Sequence, residues 1–143
     1  MKRLTQKNDI VYNNLIYAYP NKRIKGVNKI KNIEDILKAL ADETRLRIIN
    51  LLYEKEELCV CDLYEALKIT QTKASRHLQY LKNAGLVDDR KHAQWIYYSI
   101  KKNEQMKFID NLVYNNLRNI ELYKNDLESL TEWLKQKNIL CDR

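Results

Sequence analysis

The sequence predicts a mainly α fold that carries one small β-hairpin. Three observations lead there. Among 143 residues there are two glycines and one proline, too few for the tight turns of an all-β chain. Apolar residues recur at helical spacing from Ile33 to about Ala84, and again from about Asn103 onward. Between these blocks the period changes: Trp95–Ile100 alternates, with Ile96, Tyr98 and Ile100 on one face of an extended strand.

Taken in order, Ile33, Ile36, Leu37 and Leu40 mark the first clear helix. Asp42 is placed to cap a second, whose apolar positions are Leu46, Ile49 and Leu52, because a short carboxylate accepts the free N–H groups of a first turn. Residues 54–57 read as a charged connector. A short helix near Asp62–Leu67 and a turn at Lys68-Ile69-Thr70 lead into a helix from about Gln71 to Ala84, which Gly85 ends. Leu86–Arg90 is short and extended, and Arg90-Lys91-His92-Ala93-Gln94 forms the hairpin tip. The stripe Met106, Ile109, Val113, Leu117, Ile120, Tyr123, Leu127, Leu130, Leu134 predicts one long helix or two in series. It is longer than a small monomer covers easily, which points to dimerisation. This order is that of a winged helix-turn-helix dimerising through terminal helices. The expected divisions are a basic arm or extra helix at 1–31, the winged domain at 32–102, and a dimerisation helix with its extension at 103–143.

The net charge of +7 resides in residues 1–31, which hold eight Lys or Arg and one acid; the remainder is balanced. Such an arm suits DNA phosphates, or is a solvated extension. Ile10, Val11, Leu15, Ile16 and Tyr19 suggest a short helix before Pro20. No run of 18 apolar residues and no apolar leader core is present, so a cytoplasmic chain without membrane contact is expected. Three cysteines make a poor disulfide framework and are expected as thiols. No base stands beside a nucleophile and no substrate motif appears, so an enzyme is not expected.

Two of the three cysteines stand one residue apart, in Glu57-Leu58-Cys59-Val60-Cys61-Asp62-Leu63. Soft ions such as trivalent arsenic and antimony, cadmium, lead and copper(I) prefer thiolates. Residues i and i+2 of an α-helix diverge by roughly 200°, whereas in extended chain they share a face. Joint binding therefore requires the helix start to be non-helical or to unwind. A helix N-terminus favours the thiolate; Asp62 opposes this locally but can cap the helix. A redox or persulfide switch, or two small apolar residues at a helix start, are the alternatives for the pair. Zinc or nickel on the last helix is excluded, since the only histidines are His77 and His92.

On the helix from Gln71, Ala74, Leu78 and Leu81 face inward while Thr72, Arg76, Gln79 and Asn83 lie opposite, with Ser75 to one side. Arg76 suits guanine, and Gln71 or Gln79 suits adenine. Thr72, Lys73 and Ser75 suit phosphates, and Arg90 and Lys91 suit backbone or minor groove. His77 flanks the apolar stripe and suits packing or a backbone contact.

Five segments resemble the arsenical-resistance repressor (ArsR) family of metalloregulators. Ala39-Leu40-Ala41-Asp42-Glu43-Thr44-Arg45-Leu46-Arg47-Ile48 is similar to its opening motif, and Glu57–Leu63 to the inducer box of its arsenic-responsive members. Gln71–Leu81 is similar to its recognition helix, and Leu86–Lys91 with Trp95–Tyr98 to its wing. The resemblance covers roughly residues 33–105. It implies a homodimeric repressor on double-stranded DNA, at a near-palindromic operator, with reader helices about 34 Å apart. It implies no resident cofactor, and release when trivalent arsenic or antimony binds Cys59 and Cys61. Three positions depart from the pattern. Tyr64 stands where arsenic-responsive members often carry a third cysteine, Ala93 where wings usually turn on glycine, and Gln94 where a basic residue follows. Cadmium or lead variants usually carry further cysteines near the N-terminus, and residues 1–31 have none. For a third ligand Cys141 is the remaining thiol, reaching back in the same or the partner subunit. Solvent or a small thiol serves equally, and Cys141 is otherwise an ordinary tail cysteine.

Overall fold

A computed structural model describes residues 25–103 and 106–141, with side chains for 32–103 and 106–137. The expectations for the basic arm, the helix before Pro20 and the Cys141 side chain lie outside the described residues. The chain divides into two compact units, residues 1–32 and 33–143; of the first, only the start of helix α1 is described.

The elements are α1 (Lys25–Leu40), α2 (Glu43–Lys55), β1 (Glu57–Cys59), α3 (Val60–Leu67), α4 (Gln71–Asn83), β2 (Val87–His92), β3 (Trp95–Ile100), α5 (Met106–Leu112) and α6 (Glu121–Cys141). A π-helical turn, Val113–Leu117, continues α5. Asp42 caps α2 by accepting the Arg45 N–H at 2.9 Å. Arg45 in turn donates to the carbonyls of Lys38 and Ala39 at the end of α1 and stacks over the Tyr80 ring of α4. The short Lys68–Thr70 turn joins α3 to α4, with Lys68 in the left-handed conformation (φ 54°) and the Thr70 hydroxyl capping α4. Gly85 follows α4 at φ 74°, as its position predicts.

The core lies between α2, α3, α4 and the C-terminal helices. Ile48, Ile49, Leu51 and Leu52 from α2 meet Leu63, Ala66, Leu78 and Leu81, all buried. Ile109, Val113, Leu117, Tyr123 and Leu130 close the same core from the C-terminal side.

Four expectations change. The connector at 54–57 is partly strand: Glu57–Cys59 pairs antiparallel with β3, so the sheet has three strands in the order β1-β3-β2, not a lone hairpin. The hairpin tip is narrower than 90–94, because pairing continues to His92 and Trp95 and leaves Ala93-Gln94 as the turn. Ala93 takes the left-handed backbone (φ 53°) that a glycine would adopt without cost. The β3 alternation holds only at its base: Ile100 is buried, while Ile96 stands 40% exposed towards the tip. The C-terminal stripe belongs to two helices in series and is covered largely by the chain itself, so it is not the uncovered surface its length suggested.

Arg47 and His77 each carry a long-range polar contact beside this core. Arg47 of α2 donates two hydrogen bonds to Asp126 of α6, at 2.8 and 2.6 Å, and Asp126 is 3% exposed. Removing one partner leaves the other charge buried and unpaired. Asp126→Ala is therefore expected to destabilise the fold by about 3 kcal/mol, at the low end because Arg47 keeps an edge in solvent; urea unfolding measures it. The second contact is His77 of α4, whose Nδ1 lies 3.6 Å from Asp42. Burial lowers the His77 pKa, against the pull of Asp42. The unfolded chain thus takes up this proton first. Stability is full above the ordinary histidine value and is lost as pH falls through about 6.5. Thermal midpoints measured across that interval should decline in the parent protein and decline less in His77→Gln.

Candidate ligand site and nucleic-acid face

Cys59 is both the last residue of β1 and the residue capping α3, with extended backbone (φ −77°, ψ 161°). Cys61 lies one residue inside the helix. The pair therefore straddles a strand-to-helix junction. The 200° divergence of two helical residues does not apply, and no unwinding is needed. The Cα atoms are 5.3 Å apart and the Sγ atoms are joined as a disulfide, where free thiols were expected; the strand-to-helix junction brings the two sulfurs within bonding reach, and both residues are buried.

Asp62 organises this junction. It is 3% exposed. Its Oδ2 accepts the Cys59 backbone N–H at 2.9 Å, the reciprocal half of a capping box. Its Oδ1 accepts Trp133 Nε1 at 2.9 Å and Lys137 Nζ at 2.8 Å. The Lys137 ammonium also lies 3.5 Å from Cys59 Sγ and 3.7 Å from Cys61 Sγ. The two sulfurs and one Asp62 oxygen lie within 4.8 Å of one another, and on reduction they offer two soft donors and one hard donor. Two thiolates that close together fit a thiol-seeking ion.

Trp133 and Lys137 were not anticipated from the sequence. They sit one helical turn apart on α6, more than 70 residues from the cysteines. The spacing Trp133, Lys137, Cys141 is legible as one side of a helix, but nothing local says what that side meets. Cys141 is the final residue of α6, one turn beyond Lys137.

The nucleic-acid candidates fall into two groups. Gln71, Thr72, Lys73, Ser75, Arg76 and Gln79 are all exposed on α4, with Ala74, Leu78 and Leu81 buried beneath them. Gln79 donates to Asn83 at 2.8 Å. On the wing, Lys91 is exposed. Arg90 forms two 2.6 Å hydrogen bonds to Glu57 of β1 and lies over the Tyr97 ring. His77 packs against Asp42, the packing role its position suggested. Among the described residues no helix is long and apolar enough to cross a membrane.

Residues 42–89 match the model of the bacterial regulatory protein, arsR family. An arsenical resistance operon repressor of Escherichia coli (strain K12) is 54% identical over 65 residues, which are 46% of this chain and 56% of the relative. The chain thus spans only about half the length of the arsenic regulators it matches. Reduced HlyU from Vibrio cholerae N16961 is 33% identical, with a TM-score of 0.57 over 65% of this chain and 97% of that one. The homodimeric winged helix-turn-helix DNA-binding domain Mb0332 of Mycobacterium bovis, a possible ArsR-family transcriptional regulator, aligns with a TM-score of 0.60 at 27% identity, over 66% and 87% of the two chains. The fold is a winged helix-turn-helix, and the chain belongs to the arsR family of bacterial regulatory proteins.

Proposed function

We propose that this protein is a homodimeric transcriptional repressor on double-stranded DNA, released from a near-palindromic operator by trivalent arsenic or antimony taken up at Cys59 and Cys61. The observation that carries this reading is the meeting of the two buried sulfur atoms at the entrance of the helix-turn-helix. The name of the Escherichia coli relative supports the inducer class. The pair is first reduced by a cellular thiol. Two S–As bonds then form as two As–OH bonds break, and the thiol protons leave with the hydroxides as two waters, so no oxidant is consumed.

Release requires the inducer to favour the DNA-free form, since equal affinity for both forms shifts nothing. The position of the site supplies a route. Cys61 lies in α3, the helix that precedes the reader α4, and Cys59 ends β1, the strand that shares β3 with the wing. A change at the sulfurs therefore bears on both DNA-reading parts. Arg76, with Gln71 and Gln79, is assigned to base edges, and Thr72, Lys73, Ser75 and Lys91 to phosphates. Arg90 exchanges Glu57 for a phosphate when the wing engages. Ile33 and Leu37 of α1, with Phe108, Tyr114, Ile120 and Leu122, are the large apolar side chains left exposed outside the DNA-reading parts, and they are assigned to the dimer contact. The third position on arsenic is assigned to its retained hydroxide, with Cys141, the final residue of α6, as the alternative ligand.

Fluorescence anisotropy of the reduced protein on its own promoter DNA, titrated with arsenite without oxygen, tests the proposal. Release near stoichiometric arsenite, reversed by excess dithiol, is expected; Cys59→Ser and Cys61→Ser should bind DNA and stay bound. Release by oxidants with indifference to arsenite would overturn the inducer. Serine variants that lose DNA affinity when reduced and metal-free would make the cysteines structural.

A further inference from the structure

We infer that Lys137 is the specificity gate of the Cys59–Cys61 site, barring divalent cations and leaving the sulfurs to neutral trivalent hydroxides. This rests on reading the pair as the inducer site. Two thiolates beside a carboxylate are, by chemistry alone, an opening for zinc or cadmium. Here the opening is filled. The Lys137 Nζ is within 3.7 Å of both sulfur atoms and 2.8 Å from Asp62 Oδ1, so a tethered ammonium stands among the three donors a metal would bridge.

Two consequences follow from the same contacts. First, Asp62 is committed: Oδ2 holds the Cys59 N–H, and Oδ1 holds Trp133 and Lys137. A divalent ion that prefers four ligands finds two sulfurs and a like charge in place of a third donor. Second, the neutral hydroxide of trivalent arsenic brings no charge to repel. Joined to two sulfurs it retains one hydroxyl, whose oxygen accepts a hydrogen bond from an ammonium. Selection by a repulsive element set against the competitor is a general route to specificity. It adds discrimination at a site whose two thiols alone suit many soft ions.

The test compares Lys137→Met and Lys137→Arg with the parent chain, all full length and reduced under anaerobic conditions. Cadmium is followed by its sulfur-to-metal charge-transfer absorption, and arsenite by tryptophan fluorescence in a shared Trp95→Phe background, which leaves Trp133 as the sole emitting indole. Lys137→Met should bind cadmium at least tenfold more tightly, a gain of about 1.4 kcal/mol, with arsenite affinity unchanged or lower. Lys137→Arg should retain the parent's discrimination. Unchanged cadmium affinity in Lys137→Met, or an equal shift for both ligands, would overturn the gate and reduce Lys137 to a structural partner of Asp62. Far-ultraviolet circular dichroism confirms folding, and Lys137→Gln replaces the Met variant if that one is unfolded. Failure of arsenite to bind any of the proteins would refute the inducer reading alone, because the cadmium contrast is still decided.

Discussion

A buried carboxylate, Asp62, is the constraint on which the remainder of the molecule depends. An ionised group taken out of water without partners costs several kcal/mol. The fold meets that demand with three donors from two distant parts of the chain: the Cys59 N–H, the Trp133 indole and the Lys137 ammonium. Satisfying Asp62 therefore sets the end of β1, the start of α3 and the position of α6 together. The geometry of the cysteines is a by-product. A strand residue that caps the helix, followed two positions on by a residue inside it, brings two sulfurs to one point that a continuous helix would not.

The same junction touches each part that DNA reading needs. Through α3 it leads to the turn and α4. Through β1 it enters the wing sheet, where Cys59 pairs with Tyr97 and Arg90 pairs with that same residue from the other side. The Glu57–Arg90 ion pair closes the outer strands across β3. Through Lys137 and Trp133 it holds α6, which the Arg47–Asp126 pair fastens separately to α2. Continuity of contact is not by itself coupling. Here the contact is specific: the Lys137 ammonium of α6 stands against both sulfurs while Asp62 holds it, so any ligand on the sulfurs would meet a group of α6.

Much of this was legible in the sequence, and the exceptions share a physical cause. The helices, the Asp42 cap, the Gly85 stop and the Cys59–Cys61 pair announce themselves through periodicity or local chemistry. Strand β1 did not: Glu57, Leu58 and Cys59 are too few to show alternation, and their pairing with β3 is made 40 residues away. The wing tip was drawn too wide because Lys91 and His92 are polar, although their backbones stay paired. Trp133 and Lys137 looked like ordinary members of an amphipathic helix, since a helical face does not reveal its partner.

The C-terminal stripe carries the larger lesson about assembly. A spacing of four residues drifts by about 40° per step on a regular α-helix. Ile109, Val113 and Leu117 nevertheless all reach the core. The π-helical turn at Val113–Leu117 supplies the wider winding that offsets the drift. Residues 118–120 then break the helix, and α6 restarts in a direction that brings Tyr123, Asp126 and Leu130 back onto the chain's own core. The stripe is thus taken up within the chain, and α6 covers the Cys59–Cys61 junction through Trp133 and Lys137. The large apolar side chains left exposed on this part of the chain are Phe108, Tyr114, Ile120 and Leu122, those assigned to the proposed dimer contact. One helix, α6, thus carries Trp133 and Lys137 on the side that meets Asp62 and leaves Leu122 exposed near its start.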